Sequence, residues 1–198
     1  MPSFLAIASF AFLMSVLPGP VNLLTLHSGL KFGTKRSLNF VTGATLGFSA
    51  LLCLIGLGVT RLPSEESWLL DGMTWLGAAL IVWLALPLFS ATPPHDLKNQ
   101  TPPSFWQGAL LQWLNPKAWG ACLAALSLFN LRADSWDLAV VVLLWTCLCF
   151  VGVGIWAPFG TSLRPLLHTP RRMQLFGRVM GTILLSLVAV FLVQWARA

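Results

Sequence analysis

The sequence predicts an all-α integral membrane protein: six transmembrane helices in two inverted three-helix repeats, with broken first and fourth helices. Three observations carry this. Only 9% of the 198 residues are charged and 57% are hydrophobic. A soluble domain has about 25% charged residues, so too few charges are present here to cover a water-facing surface. The apolar residues fall in runs of about 20, the length that crosses a ~30 Å hydrocarbon layer as helix. Two polar, proline-containing interruptions, at Pro18-Gly19-Pro20 and at Asn115-Pro116, sit inside such runs and divide the chain alike.

The first apolar segment runs from about Ser3 to His27 and is interrupted at Pro18-Gly19-Pro20. It has no basic leading region and no small-residue cleavage pattern, so it reads as a span and not as a removable signal. The second runs from about Leu38 to Thr60 and the third from about Trp68 to Phe89. The fourth covers about Phe105 to Leu131, interrupted at Asn115-Pro116. The fifth runs from about Leu138 to Phe159 and the sixth from about Leu175 to Trp195. Between the third and fourth lies SATPPHDLKNQTPPS (90–104), with two Pro-Pro pairs and no apolar run. It divides one transmembrane domain (1–198) into repeat one (1–90), a linker (91–104) and repeat two (105–198).

Pro20 and Pro116 are 96 residues apart, close to half the chain. Three spans per half is an odd number, so halves of like fold enter the membrane upside down relative to each other. Inverted repeats of this kind place a site where discontinuous helices meet near the midplane.

Lys31, Lys35, Arg36, Lys98, Arg164, Arg171, Arg172 and Arg178 fall on one side of the six-span scheme, and Arg61, Arg132 and Arg197 on the other. Positive residues stay inside, so the first set is expected in the cytoplasm and both termini outside. The net charge of +6 is thereby read as a topology signal, with no nucleic-acid partner. Trp68, Trp106, Trp136 and Trp195 fall near span ends, where indoles favour the interface. Trp113, Trp119 and Trp145 lie deeper and are expected to pack against neighbouring helices, with lining a cavity as the alternative. Cys53, Cys122, Cys147 and Cys149 lie within spans without metal-ligand spacing, so neither a metal nor a disulfide is expected. Gly43 and Gly47, and Gly77 with Ala78, are small residues that let membrane helices approach closely.

The two interruptions have a chemistry of their own. Proline lacks an N–H and suits the first position of a helix, so Pro20 and Pro116 each start a second half-helix. Gly19 is expected to end the first half in the left-handed conformation, and Asn115 occupies an N-cap position. Each restarted half-helix would aim free N–H donors and a partial positive charge inward, an arrangement that binds anions. Lys117 adds a full charge at a depth that costs about 2.5–3.5 kcal/mol, and the one acid within a span is Asp71. The expected site is a carboxylate pocket made by Pro18, Gly19, Pro20, Asn22, Asn115, Pro116 and Lys117. Asn22 and Asn115 orient the ligand, and Asp71 or Lys117 is a candidate for proton coupling.

At these residues the chain resembles the LysE/RhtB (lysine exporter, homoserine/threonine exporter) family of bacterial amino-acid exporters. The resemblance rests on LPGPVNLLTLHSGLKFGTKRSLNFVTGATLGF (17–48), WLGAALIVWLALPLF in the third span, FWQGALLQWLNPKAWGACLAALSLF (105–129) and RRMQLFGRVMGTILLSLVAVFL (171–192). Many members have Asn directly after Pro-Gly-Pro, whereas here Val21 intervenes before Asn22. The resemblance implies six spans in the bacterial cytoplasmic (inner) membrane, export driven by the proton-motive force, and a homodimer. The scarcity of intramembrane acids argues for a neutral amino acid or small zwitterionic metabolite as substrate. Other readings are a transporter of another small metabolite, a membrane enzyme, or a non-transporting assembly partner. An enzyme would need an acid/base or metal cluster, yet His27, His95 and His168 are dispersed and no carboxylate dyad occurs. No cofactor is expected.

Overall fold

The computed structural model describes residues 4–58, 101–129, 131, 136–167 and 169–195, with 75–76, 78–79, 81–83, 85–86 and 88–89. In chain order the helices are α1 (Phe4–Val16), α2 (Pro20–Phe32), α3 (Thr34–Gly56), α4 (Phe105–Trp113), α5 (Pro116–Leu128), α6 (Trp136–Gly154), α7 (Trp156–Ser162) and α8 (Pro170–Trp195). Residues 75–89 are helical wherever they are described. Linker residues 91–100, Asp71, Gly77, His95 and His168 lie outside the described residues.

Among the described residues, three helical stretches are long and apolar enough to cross a membrane by themselves: Thr34–Gly56, Leu138–Ser162 and Pro170–Val190. The pair α1–α2 adds a fourth candidate, bent by 58° at its break. The described residues therefore form a multi-span helical membrane bundle with three or four candidate spans. Large apolar side chains such as Leu5, Trp106 and Leu143 point outward and are well exposed, which is stable when hydrocarbon is the solvent.

Both interruptions are real breaks. The first runs from Leu17 to Gly19 and the second over Leu114 and Asn115, each succeeded by a helix that begins on proline. α2 ends at Gly33, whose φ of 89° turns the chain straight into α3. The second span therefore starts at Thr34, four residues before its apolar run begins. The sixth starts at Pro170, because proline suits a first turn even when the next residues, Arg171 and Arg172, are charged.

Burial ranks the helices by depth. α1 buries only Ile7, Ala11 and Ser15, a three-residue stripe at a spacing of four on one face. α2 buries residues all round, from Pro20 to Leu26 and on through Ser28, Gly29, Leu30 and Lys31, so it is an innermost helix despite its polar residues.

Missing side chains let the helices touch. A Cβ on Gly43 would lie 2.0 Å from the Phe105 carbonyl oxygen, and one on Gly108 2.3 Å from that of Phe40. These two positions lock α3 to α4, bearing out the close-packing expectation for Gly43. A Cβ on Gly29 would lie 2.0 Å from the Ala157 oxygen, and one on Gly160 2.0 Å from the Leu26 oxygen, which locks α2 to α7 in the same way. Trp145 is buried on α6, with its ring 5.7 Å from Phe10 and 5.3 Å from Phe48. It joins α1, α3 and α6, the packing role expected of a deep indole. Cys122 and Cys149 are buried, Cys147 is exposed, and all four cysteines are free thiols.

At one end of the bundle Arg164 closes the carbonyl end of α2. Its Nε donates to the Leu30 carbonyl at 2.7 Å and its Nη2 to that of Lys31 at 3.0 Å. The expected cytoplasmic loops after the first and fifth spans are thus joined by backbone recognition.

Candidate functional site

Where α1 stops, the carbonyls of Ser15, Val16 and Leu17 lose their helical partners. The Asn22 amide reaches back from the first turn of α2 and donates to all three, at 2.8, 3.2 and 3.1 Å. Trp156 Nε1 donates to the Val16 carbonyl at 3.1 Å. The Lys117 ammonium, arriving from the other break, donates to the Leu17 carbonyl. A cation and two neutral donors therefore meet the electronegative end of α1.

This changes two expectations. Lys117 is not uncompensated, because a helix C-terminus supplies the partial negative charge that a nearby carboxylate would otherwise give. The Asn22 amide is engaged in holding the break together, so its Nδ2 is already occupied by backbone. A third change concerns Gly19. Its φ of −168° and ψ of 177° are extended, so it does not end α1 in the left-handed conformation. What requires glycine is space: a Cβ would stand 3.0 Å from Lys117 Cδ and 3.4 Å from Nζ. The bare backbone is the floor over which the lysine lies.

The second break is closed differently. Asn115 Oδ1 accepts from the Lys117 backbone N–H at 3.1 Å, the expected N-cap. The Asn115 carbonyl accepts from Ala118 N at 2.9 Å, and Asn115 Nδ2 faces Gln112 Oε1 at 3.4 Å. Trp119 Nε1 donates to the Trp113 carbonyl at 2.6 Å and so serves the end of α4. The start of α5 is thus largely satisfied, contrary to the expectation of two open helix N-termini. α2 differs: no side chain caps its first turn.

Between these parts lies a cavity with ≈ 30 Å³ open to the centre of a water-sized sphere. Gly19, Val21, Asn22, Asn115 and Lys117 line it together with Ser15, Gln112, Trp145 and Cys149. Among the described lining residues one side chain is charged, the Lys117 ammonium, and none is a carboxylate. On the far side of Gly19, Asn115 and Lys117 a second chamber of ≈ 210 Å³ opens, with Pro18, Pro20 and Pro116 at its edge. All seven residues proposed around the two breaks therefore meet at one junction, although 96 residues separate the prolines. Gln112, Trp145, Cys149 and Trp156 were not singled out as site residues by the sequence. Gln112, as the polar residue three positions before Asn115, was the one with a local signal.

The family model for LysE type translocators matches residues 12–195. The chain belongs to this family. Among its relatives is the "Cysteine/O-acetylserine efflux protein" of Escherichia coli (strain K12), 31% identical over 186 residues that cover 92% of this chain and 91% of the relative. The protein of the same description from Shigella flexneri matches equally, at 31% identity over the same shares. No solved structure matches the chain. As a LysE type translocator it is a multi-pass protein of the inner membrane. It is a secondary transporter that exports a small amino-acid-like metabolite, and not an enzyme.

Proposed function

We propose that this translocator exports an amino acid with an uncharged side chain, and that the junction of the two breaks is where the substrate carboxylate is held. One observation supports the reading most. An ammonium, Lys117, and the uncapped start of α2 border the same small cavity, with no carboxylate among its described lining residues. Both favour an anion, and in a low-dielectric interior neither is well screened. In the state at hand the ammonium is turned to the Leu17 carbonyl. A substrate carboxylate would take it over, which frees the end of α1 and couples occupancy to the hinge between α1 and α2.

The finer architecture is part of the same proposal: six spans in two inverted repeats, acting as a homodimer and driven by the proton-motive force. Pro20 and Pro116 both open half-helices. The flip that maps α1 onto α4 and α3 onto α6 turns the pairing of α1 with α6 into that of α4 with α3, and both pairings are extensive. Lys117 remains the described candidate for carrying the proton.

The test is counterflow in vesicles containing only this protein, against a panel of labelled amino acids. Wild type should move neutral amino acids without altering them covalently. Lys117→Ala should abolish counterflow while the protein stays folded and monodisperse. Transport of lysine or arginine alone would refute the substrate class, and full activity in Lys117→Ala would refute the site.

A further inference from the structure

The polar cavity is too small for a whole amino acid. A single water needs about 10–15 Å³ by this measure, so ≈ 30 Å³ holds about two waters, the room a carboxylate takes. The rest of a substrate held there must lie elsewhere. Gly19, Asn115 and Lys117 are walls common to the cavity and to the ≈ 210 Å³ chamber, so the two spaces meet at the lysine. Beyond the junction, the described residues in the chamber's walls are apolar: Ala78 and Ile81 from the helical residues between 75 and 89, and Leu187 and Val188 from α8. These helices are tightly packed, since a Cβ on Gly181 would lie 2.5 Å from the Phe89 ring. Ala78, Ile81 and Val188 are buried.

We propose, resting on the carboxylate reading above, that this chamber receives the substrate's side chain and selects for apolar side chains up to aromatic size. An apolar cavity of about 150 Å³ takes up benzene, so ≈ 210 Å³ accommodates a leucine-, methionine- or phenylalanine-sized group. Among the described residues that line the chamber, Lys117 is the single charge. A cationic side chain meets like charge there and an anionic one competes with the substrate's own carboxylate, while an apolar one meets matching surface. Ala78, Ile81, Leu187 and Val188 are then specificity-determining residues.

The experiment measures inhibition of counterflow by unlabelled alanine, leucine, methionine, phenylalanine, lysine and aspartate, in wild type and two variants. Wild type should be inhibited at least tenfold better by leucine, methionine or phenylalanine than by alanine, and hardly by lysine or aspartate. Ala78→Leu fills the chamber and should shift the optimum toward alanine by tenfold or more. Leu187→Trp does the same from a half-exposed position that tolerates bulk, and so keeps the test open if Ala78→Leu does not fold. Counterflow of alanine alone in wild type, or a ranking unmoved by both folded variants, overturns the chamber's role while leaving the carboxylate site standing. Loss of all amino-acid counterflow in wild type overturns both.

Discussion

Lys117 is the residue on which the site turns, and its surroundings make separable predictions. In Gly19→Ala the new methyl meets the lysine stem at 3.0 Å. The stem is flexible, so the fold should survive while the ammonium is displaced. Thermal stability in detergent should be unchanged and counterflow should fall several-fold; unaltered counterflow would show that the lysine's position over Gly19 is unimportant. Asn115→Ala removes the cap on α5 and should cost about 1 kcal/mol of stability. Asn115→Asp keeps the acceptor for the Lys117 N–H but places a carboxylate beside the ammonium. It should regain the stability without regaining transport, as read by thermal melts beside counterflow. The sequence made Asn115 legible as a cap and Lys117 as an anomaly in an apolar run, because both signals are local. It could not show that the Leu17 carbonyl compensates Lys117, since that contact spans 100 residues. Nor could it assign Asn22 to the end of α1 in place of a ligand.

Among the elements, the close helix pairs and the breaks obey different rules. α2 lies against α7, and α3 against α4, where a glycine on one helix meets backbone on the other. Backbone cannot rotate away as a lysine stem can. Gly29→Ala and Gly43→Ala should each destabilise by at least the roughly 1–3 kcal/mol typical of overpacking, visible as a lower melting midpoint in detergent. Gly120→Ala is the control: nothing lies within 4 Å of its added Cβ, so its midpoint should not fall. Equal midpoints for all three would contradict the packing described. Proline placement made both half-helix starts legible, and both were found at the expected residues. The end of α1 was not legible in detail. Its termination uses an extended glycine and donors from α2, α5 and α7, and no local pattern encodes partners so far away.

For the whole molecule, the membrane class was legible because composition alone decides what solvent the surface can face. Individual span limits moved where a turn, such as that at Gly33, and not hydropathy, starts a helix. Orientation is a property of the complete bundle. Lys35→Cys and Arg171→Cys, in a background without the native cysteines, should react with a membrane-impermeant maleimide in inside-out vesicles and not in intact cells. The reverse pattern would invert the assignment of the basic loops to the cytoplasm.

On the proposed mechanism a substrate carboxylate replaces the Leu17 carbonyl as the partner of Lys117. The most direct measurement compares inhibition of wild-type counterflow by a neutral amino acid and by its decarboxylated amine. The amino acid should inhibit and the amine, identical in side chain, should lose at least a hundredfold in potency. Equal inhibition by the two would rule this exchange out, because a site that does not need the carboxylate has no use for a half-buried lysine at the meeting point of two broken helices.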